Sequence, residues 1–320
     1  MAEKPLRVVL LGKTGAGKNK FGNVLIGEEI FEVDRSPDSG TSQCKAVTGV
    51  NGQITVIDAP GFFDNITNAE RQRYETIKTT TECSPGPHAL LVFLKVEKYT
   101  EHEKQVMIKI KKLFSEDAFE YAVLVFTHGD QLAEGRKIKE FVSENKDLKE
   151  LSDKCGGRCH VVDNKYWNNN QQDPYRDNQF QIRQLLSTIN GLVQQHGGGC
   201  YTNKMLQEVE RKIQEETTRT GSREEAKKNV TDFFFKKLAD IDPGELLGAL
   251  LGSLEDVKKV HSAVFGLPGV ATWTAVGAAA GAVIGAIGGP VGAAAGAAAG
   301  AVGGTLGGLM AGLWGKPKTE

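Results

Sequence analysis

Short apolar runs recur along the first two hundred residues, each stopped by Gly, Pro, Asp or a polar cluster. Leu6 to Leu11, Gln53 to Ile57, His88 to Val96, Ala122 to Phe126 and Arg158 to Val162 read as buried strands. Continuous runs of this kind suit a parallel sheet covered on both faces. A further strand is expected within Cys44 to Val50. Between the runs the apolar period changes to that of a helix. Phe21, Val24 and Leu25 mark one stripe, and residues 68–82 form a helical stretch. Val106, Ile110 and Leu113 mark another stripe, opened by Thr100 with Glu103 at capping-box spacing. Phe180, Leu185, Leu186, Ile189 and Val193 mark a closing helix to about His196. The order β-α-β-β-α-β-α-β-α-β-α predicts an α/β, doubly wound, mostly parallel six-stranded sheet. In that architecture the working loops leave the C-terminal ends of the strands.

Those loops carry the chemistry. The first strand ends in Gly12-Lys13-Thr14-Gly15-Ala16-Gly17-Lys18-Asn19 and a helix follows at once. Strand, glycine loop and helix together are the context of a phosphate-binding P-loop. Its backbone N–H groups wrap a β-phosphate at the helix N-terminus, and Lys18 adds a cation at the β/γ-phosphates. A glycine turn that merely caps a helix explains neither Lys18 nor the strand before it. The motif asks for Ser or Thr after the lysine, because that hydroxyl ligates Mg²⁺. Here the residue is Asn19, whose amide oxygen can ligate a hard cation but whose NH₂ cannot.

Residues 34–43 are polar and turn-rich, a loop in which Thr41 is the candidate hydroxyl for Mg²⁺ and a γ-phosphate. The next strand runs into Asp58-Ala59-Pro60-Gly61. Asp58 is placed to hold Mg²⁺ through water, and the Gly61 N–H to sense the γ-phosphate. The fifth strand runs into Thr127-His128-Gly129-Asp130. The loop resembles that of G proteins, in which the aspartate accepts hydrogen bonds from guanine N1 and N2, a donor pair that adenine lacks; the resemblance implies that role for Asp130. Thr127 and His128 replace the usual Asn-Lys of the motif. After the sixth strand, Asp163-Asn164-Lys165 brings Asn164 toward the base.

These stations occur in order, and the pattern resembles the AIG1-type G domain of the GIMAP, immunity-associated nucleotide-binding GTPases. Ser84-Pro85-Gly86-Pro87-His88-Ala89-Leu90-Leu91-Val92 with Tyr99-Thr100 is similar to the box that separates this family from Ras-like proteins. Thr41-Ser42-Gln43-Cys44 is similar to its second motif, and residues 126–132 to its fourth. The resemblance covers roughly residues 5–205. It implies GTP and GDP as ligands, homo- or hetero-dimerisation with related G domains, and in some members a membrane anchor. Two departures stand out. Asn19 replaces the usual Ser, and Glu97-Lys98-Tyr99-Thr100 stands where many members carry Gly-Arg-Tyr-Thr. Lys98, the catalytic candidate, keeps the charge of that arginine but not its bidentate fork. Hydrolysis is therefore expected to be slow or absent.

The formal net charge is −1, so no global field points to nucleic acid. Met1 to Val9 carries no apolar core of the signal-peptide kind. Five scattered cysteines make no disulfide framework, and Cys155 and Cys159 lack a second ligand pair at zinc spacing. Reduced thiols in a cytoplasmic G domain are expected.

Gly197-Gly198-Gly199 suggests a boundary, followed over residues 206–261 by a charged amphipathic helix or a pair broken near Gly221. It fits a helix folded back on the domain and a protein-interaction stalk equally. From Ser262 to Gly315 there is no charged residue, and Gly recurs at every fourth position from Gly288 to Gly312. A membrane hairpin turning at Gly288-Gly289-Pro290, with Trp273 and Trp314 at one interface, is the preferred reading. It would anchor the G domain to an intracellular membrane. A self-packing zipper and a low-complexity tail remain open. Two functions follow: a membrane-associated guanine-nucleotide switch, or a degenerate nucleotide binder that works through its glycine-zipper tail. An ATP-using protein survives only if Asp130 does not face the base.

Overall fold

The computed structural model describes residues 5–32, 43–50, 52–59, 68–97, 101–163, 166–167 and 173–265. Thr41, Gly61, Lys98, Thr100, Asn164 and the glycine-rich stretch from residue 266 onward lie outside the described residues.

The elements follow in the order β1 (Leu6–Gly12), α1 (Lys18–Ile26), β2 (Lys45–Thr48), β3 (Ile54–Asp58), α2 (Ala69–Cys83) and β4 (Ala89–Lys95). Next come α3 (Glu101–Leu113), α4 (Glu116–Glu120), β5 (Ala122–Thr127), α5 (Ile138–Ser143), α6 (Lys146–Lys154), β6 (Cys159–Val161) and α7 (Asn178–Gln195). The sheet order is β2-β3-β1-β4-β5-β6, with β2 antiparallel at one edge and the other strands parallel. This is the mostly parallel six-stranded sheet that the apolar runs predict. Alternate residues of each strand feed opposite faces. Val9, Leu11, Ile57, Leu90 and Val92 join one core, whereas Val8, Leu10, Val56, Leu91 and Phe93 join the other.

Two differences from the pattern are local. Val24 lies off the buried face of α1 and is exposed, while Phe21 and Ile26 take the core positions. The connections before β5 and β6 each hold two helices, because Ser115 and Asn145 cap new N-termini at α4 and α6.

After Gly197–Gly199 the chain returns to the sheet domain, where the Tyr201 N–H meets the Pro87 carbonyl. Helices α8 (Lys204–Thr220), α9 (Arg223–Lys237), α10 (Pro243–Leu251) and α11 (Leu254–Phe265) fold back on it. Gly221, at φ 74°, ends α8 and reverses the chain into α9, so the charged stretch is the helix pair rather than one helix. The apolar stripe Met205, Val209 and Ile213 shares a buried cluster with Ile77 of α2 and with Val230 and Phe234 of α9. The stripe is thus buried against α2 and α9. Polar contacts fix the register: Thr81 Oγ1 and Thr231 Oγ1 are 2.8 Å apart, and Lys227 Nζ lies 2.9 Å from a Glu82 carboxylate oxygen.

The segment Ser84–His88 is the seam. The Tyr201 N–H donates to the Pro87 carbonyl at 2.8 Å, and Thr202 Oγ1 to the Pro85 carbonyl at 3.2 Å. Ser84 Oγ donates to Glu210 at 2.7 Å, and Arg7 Nε donates to the Gly86 carbonyl at 2.7 Å. The stretch that carries the family resemblance is thus also where the sheet domain receives its helical extension.

Candidate functional site

The P-loop runs from the end of β1 into α1. Gly15 and Gly17 sit at φ 73° and 84°, a region that L side chains avoid. Gly12 is needed for another reason: a Cβ there would lie 2.9 Å from Phe93 Cβ on the adjacent strand. The Ala16 N–H donates to the Lys13 carbonyl at 3.2 Å and closes the turn. Lys18 is 3% exposed, and its Nζ donates to the carbonyls of Gly12 (3.3 Å) and Lys13 (3.0 Å). The loop therefore holds its ammonium inside its own ring of backbone groups, where an arriving phosphate can take over as acceptor. Thr14 is exposed and Lys13 half-buried.

Register places the other stations on the same sheet edge. Asp58 pairs with Leu10 at the end of β3, Gly12 with Phe93, Lys95 with Thr127, and Phe126 with Val161. Asp58 is fully buried. The Asn19 Nδ2 donates to the Glu32 carbonyl at 2.7 Å.

The loop after β5 is built around Thr127 and His128. Thr127 is fully buried and its Oγ1 donates to the Leu94 carbonyl at 3.3 Å. His128 has φ 60°, the single non-glycine residue in that region among the described residues, and its Nδ1 lies 3.0 Å from Thr127 Oγ1. Asp130 is half-buried and accepts from Gln131 Nε2 at 2.7 Å. A cavity of about 460 Å³ opens beside this loop, lined by Lys95, Val96, Glu97, His128, Gln131 and Phe141.

Residues that the sequence pattern does not single out hold this loop in place. Asp163, 2% exposed, accepts from the Asp130 N–H at 3.3 Å and also from the Tyr166 N–H, tying the loops after β5 and β6 together. Trp167, 4% exposed, packs on Gly129 so closely that a Cβ there would lie 2.6 Å from the ring. Arg176 stands over the Trp167 ring at 5.9 Å and donates to the Leu132 and Ala133 carbonyls at 2.7 Å each. A buried Asp after a strand and a Trp in a polar segment were the available signals.

Below the site, His88 is 8% exposed and its Nδ1 accepts from the Arg7 N–H at 2.8 Å. Burial, with the Arg7 charge beside it, lowers its pKa to about 4. The five cysteines are free thiols, and burial pushes Cys83 and Cys155 up to about 12. Among the described residues no group of His, Cys, Asp or Glu is arranged to hold a metal ion.

A parallel sheet with an antiparallel edge strand, a glycine loop enclosing a lysine, and further loops on the same edge define a P-loop G-domain fold. Residues 6–221 match the AIG1 family, and the chain belongs to that family. It is 30% identical over 279 residues to the immune-associated nucleotide-binding protein 5 of Arabidopsis thaliana, covering 82% of this chain and 86% of that one. It is 30% identical over 231 residues to protein 8 of the same series and plant, covering 68% of this chain and 64% of that one, so under two thirds of that relative is spanned. Among solved structures, Toc33 from Arabidopsis thaliana in complex with GDP and Mg²⁺ aligns at 22% identity over 60% of this chain and 86% of that one, with a TM-score of 0.44.

Proposed function

We propose that the chain is a guanine-nucleotide-binding switch protein that takes GDP and GTP at the P-loop edge of its sheet. The observation that carries this reading is Lys18 enclosed by the P-loop carbonyls at the C-terminal end of β1. Gly12 to Gly17 supply the phosphate cradle, and Asp130 supplies the acceptor pair for guanine N1 and N2. Asn164 adds to the base contact, and Gly61 to that of the γ-phosphate. Asp58 and Thr41 are the residues that would hold Mg²⁺, which would neutralise charge between the phosphates. Asn19 brings no hydroxyl to that ligand set, and the nitrogen of its amide is tied to the Glu32 carbonyl. With Lys98 in the arginine position, this supports slow or absent hydrolysis.

The same reading has the protein dimerise through its G-domain face with a copy of itself or a related G domain. It also has residues 262–315 anchoring it to an intracellular membrane. The uncharged stretch and its glycine period support the anchor. A titration of fluorescent GDP into the full chain and into Asp130→Ala tests the nucleotide claim. Loss of two hydrogen bonds to a carboxylate predicts a fall in affinity of at least tenfold. Unchanged affinity would remove base recognition by Asp130.

A further inference from the structure

We propose that Asn19 has left the metal-ligating role of its position and works as a positioning residue, latching the segment Ile30–Glu32 to α1. A consequence is that GDP binding needs no Mg²⁺. The consequence rests on the guanine-nucleotide reading above, whereas the latch stands apart from it.

The geometry has three parts. First, the Asn19 amide donates from Nδ2 to the Glu32 carbonyl at 2.7 Å. A carbonyl acceptor can face only the NH₂ side of an amide, so this contact fixes which way the group is turned. Second, Asn19 does not act alone. One turn along the same face of α1, Asn23 donates from Nδ2 to the Phe31 carbonyl at 2.8 Å. Its Oδ1 accepts from the Ile30 and Phe31 N–H groups at 3.0 and 2.7 Å. Two asparagines at i and i+4 thus grip three consecutive residues, the spacing that puts side chains on one helical face. Third, the gripped segment is seated from other sides as well. Lys45 Nζ donates to the Ile30 carbonyl at 3.0 Å. The Phe31 ring lies so close to Gly22 that a Cβ there would meet it at 2.9 Å.

A Ser at position 19 would carry its oxygen directly on Cβ. It would lose the reach to Glu32 and gain the hydroxyl that a divalent cation prefers. The Asn therefore exchanges the preferred hydroxyl for an amide tether, and Asn23 shows that the helix already uses that chemistry once.

The test uses the full chain, with Asn19→Ser and Asn19→Ala. In nucleotide-free protein, hydrogen exchange over residues 30–32 is expected to quicken about fivefold in both variants, as for one lost hydrogen bond. Unchanged exchange in both would overturn the latch. In parallel, fluorescent GDP is titrated with Mg²⁺ and with chelator. The native chain is expected to change affinity less than twofold between the two conditions, and Asn19→Ser is expected to gain at least fivefold from Mg²⁺. A tenfold loss of affinity in the native chain on chelation, restored by Mg²⁺ and absent in Asn19→Ala, would make Asn19 a metal ligand and overturn the proposal. Failure of GDP to bind under any condition would instead defeat the nucleotide reading and with it the Mg²⁺ consequence. The exchange result would still decide the latch.

Discussion

Replacing Gly86 by Ala adds one methyl group at the seam between the sheet domain and its helical extension. The structure gives the size of the problem. A Cβ at this position would lie 1.7 Å from the Tyr201 carbonyl oxygen and 2.9 Å from its carbonyl carbon. Ordinary contact requires more than 3 Å, and the atoms in the way are backbone, so the strap at Cys200–Thr202 must move by about 1.5 Å or more. That movement strains or breaks the bonds from Tyr201 to Pro87 and from Thr202 to Pro85. Each is worth about 1 kcal/mol net. It also loosens the Tyr201 ring, which is 2% exposed, and overpacking of a close-fitted site itself costs about 1–3 kcal/mol. A loss of about 3–5 kcal/mol of stability is expected on those grounds. Gly191 provides the internal control, since it sits inside α7 with nothing within 4 Å of a built Cβ. There the same Gly→Ala change relieves backbone entropy and is expected to stabilise by about 0.5–1 kcal/mol. Urea unfolding of both variants measures the two signs, and hydrogen exchange at residues 200–203 locates the first effect. Gly86→Ala within about 0.5 kcal/mol of the native chain would refute the seam reasoning.

Three further outcomes follow from the site. Gly129→Ala drives a methyl into Trp167 and is expected to cost about 1–3 kcal/mol, and Trp167→Phe in the same chain should recover part of it; strict additivity in a double-mutant cycle would contradict direct packing. Lys18→Ala removes the enclosed ammonium and is expected to lower GDP affinity by at least a hundredfold without unfolding the sheet, read by fluorescence titration beside circular dichroism. His88 sets a pH dependence. Its folded pKa of about 4 lies below the ordinary 6.5, so the unfolded chain binds more protons between those values. Stability is therefore full above about pH 6.5 and lost as pH falls toward 4, about 2 kcal/mol of it between pH 7 and 5. His88→Gln should flatten that slope in urea titrations, and an unchanged slope would assign it elsewhere.

The sheet was legible because its strands are uninterrupted apolar runs, a signal that survives without knowledge of neighbours. The antiparallel edge was not, since β2 is four residues long and its direction depends on its partner rather than its composition. Helix α8 shows the same limit. Its stripe suits a folded-back helix and a stalk equally, and only the fold shows that α2 and α9 cover it. At the site, Gly15, Gly17 and Lys18 could be read because the phosphate loop is local in sequence. Trp167 could not, because its importance lies in touching Gly129 across a gap in the chain. Asn19 was visible as a departure, and its new bond to Glu32 was not.

The central claim is that this edge of the sheet selects a guanine nucleotide. Competition of GDP, GTP, ADP and ATP against fluorescent GDP on the full chain, with and without Asp130→Ala, tests it most directly. The account predicts that guanine nucleotides displace the probe at concentrations at least a hundredfold below those of adenine nucleotides, and that Asp130→Ala erases most of that difference. Displacement by ATP and GDP at equal concentrations, unchanged in Asp130→Ala, would contradict it.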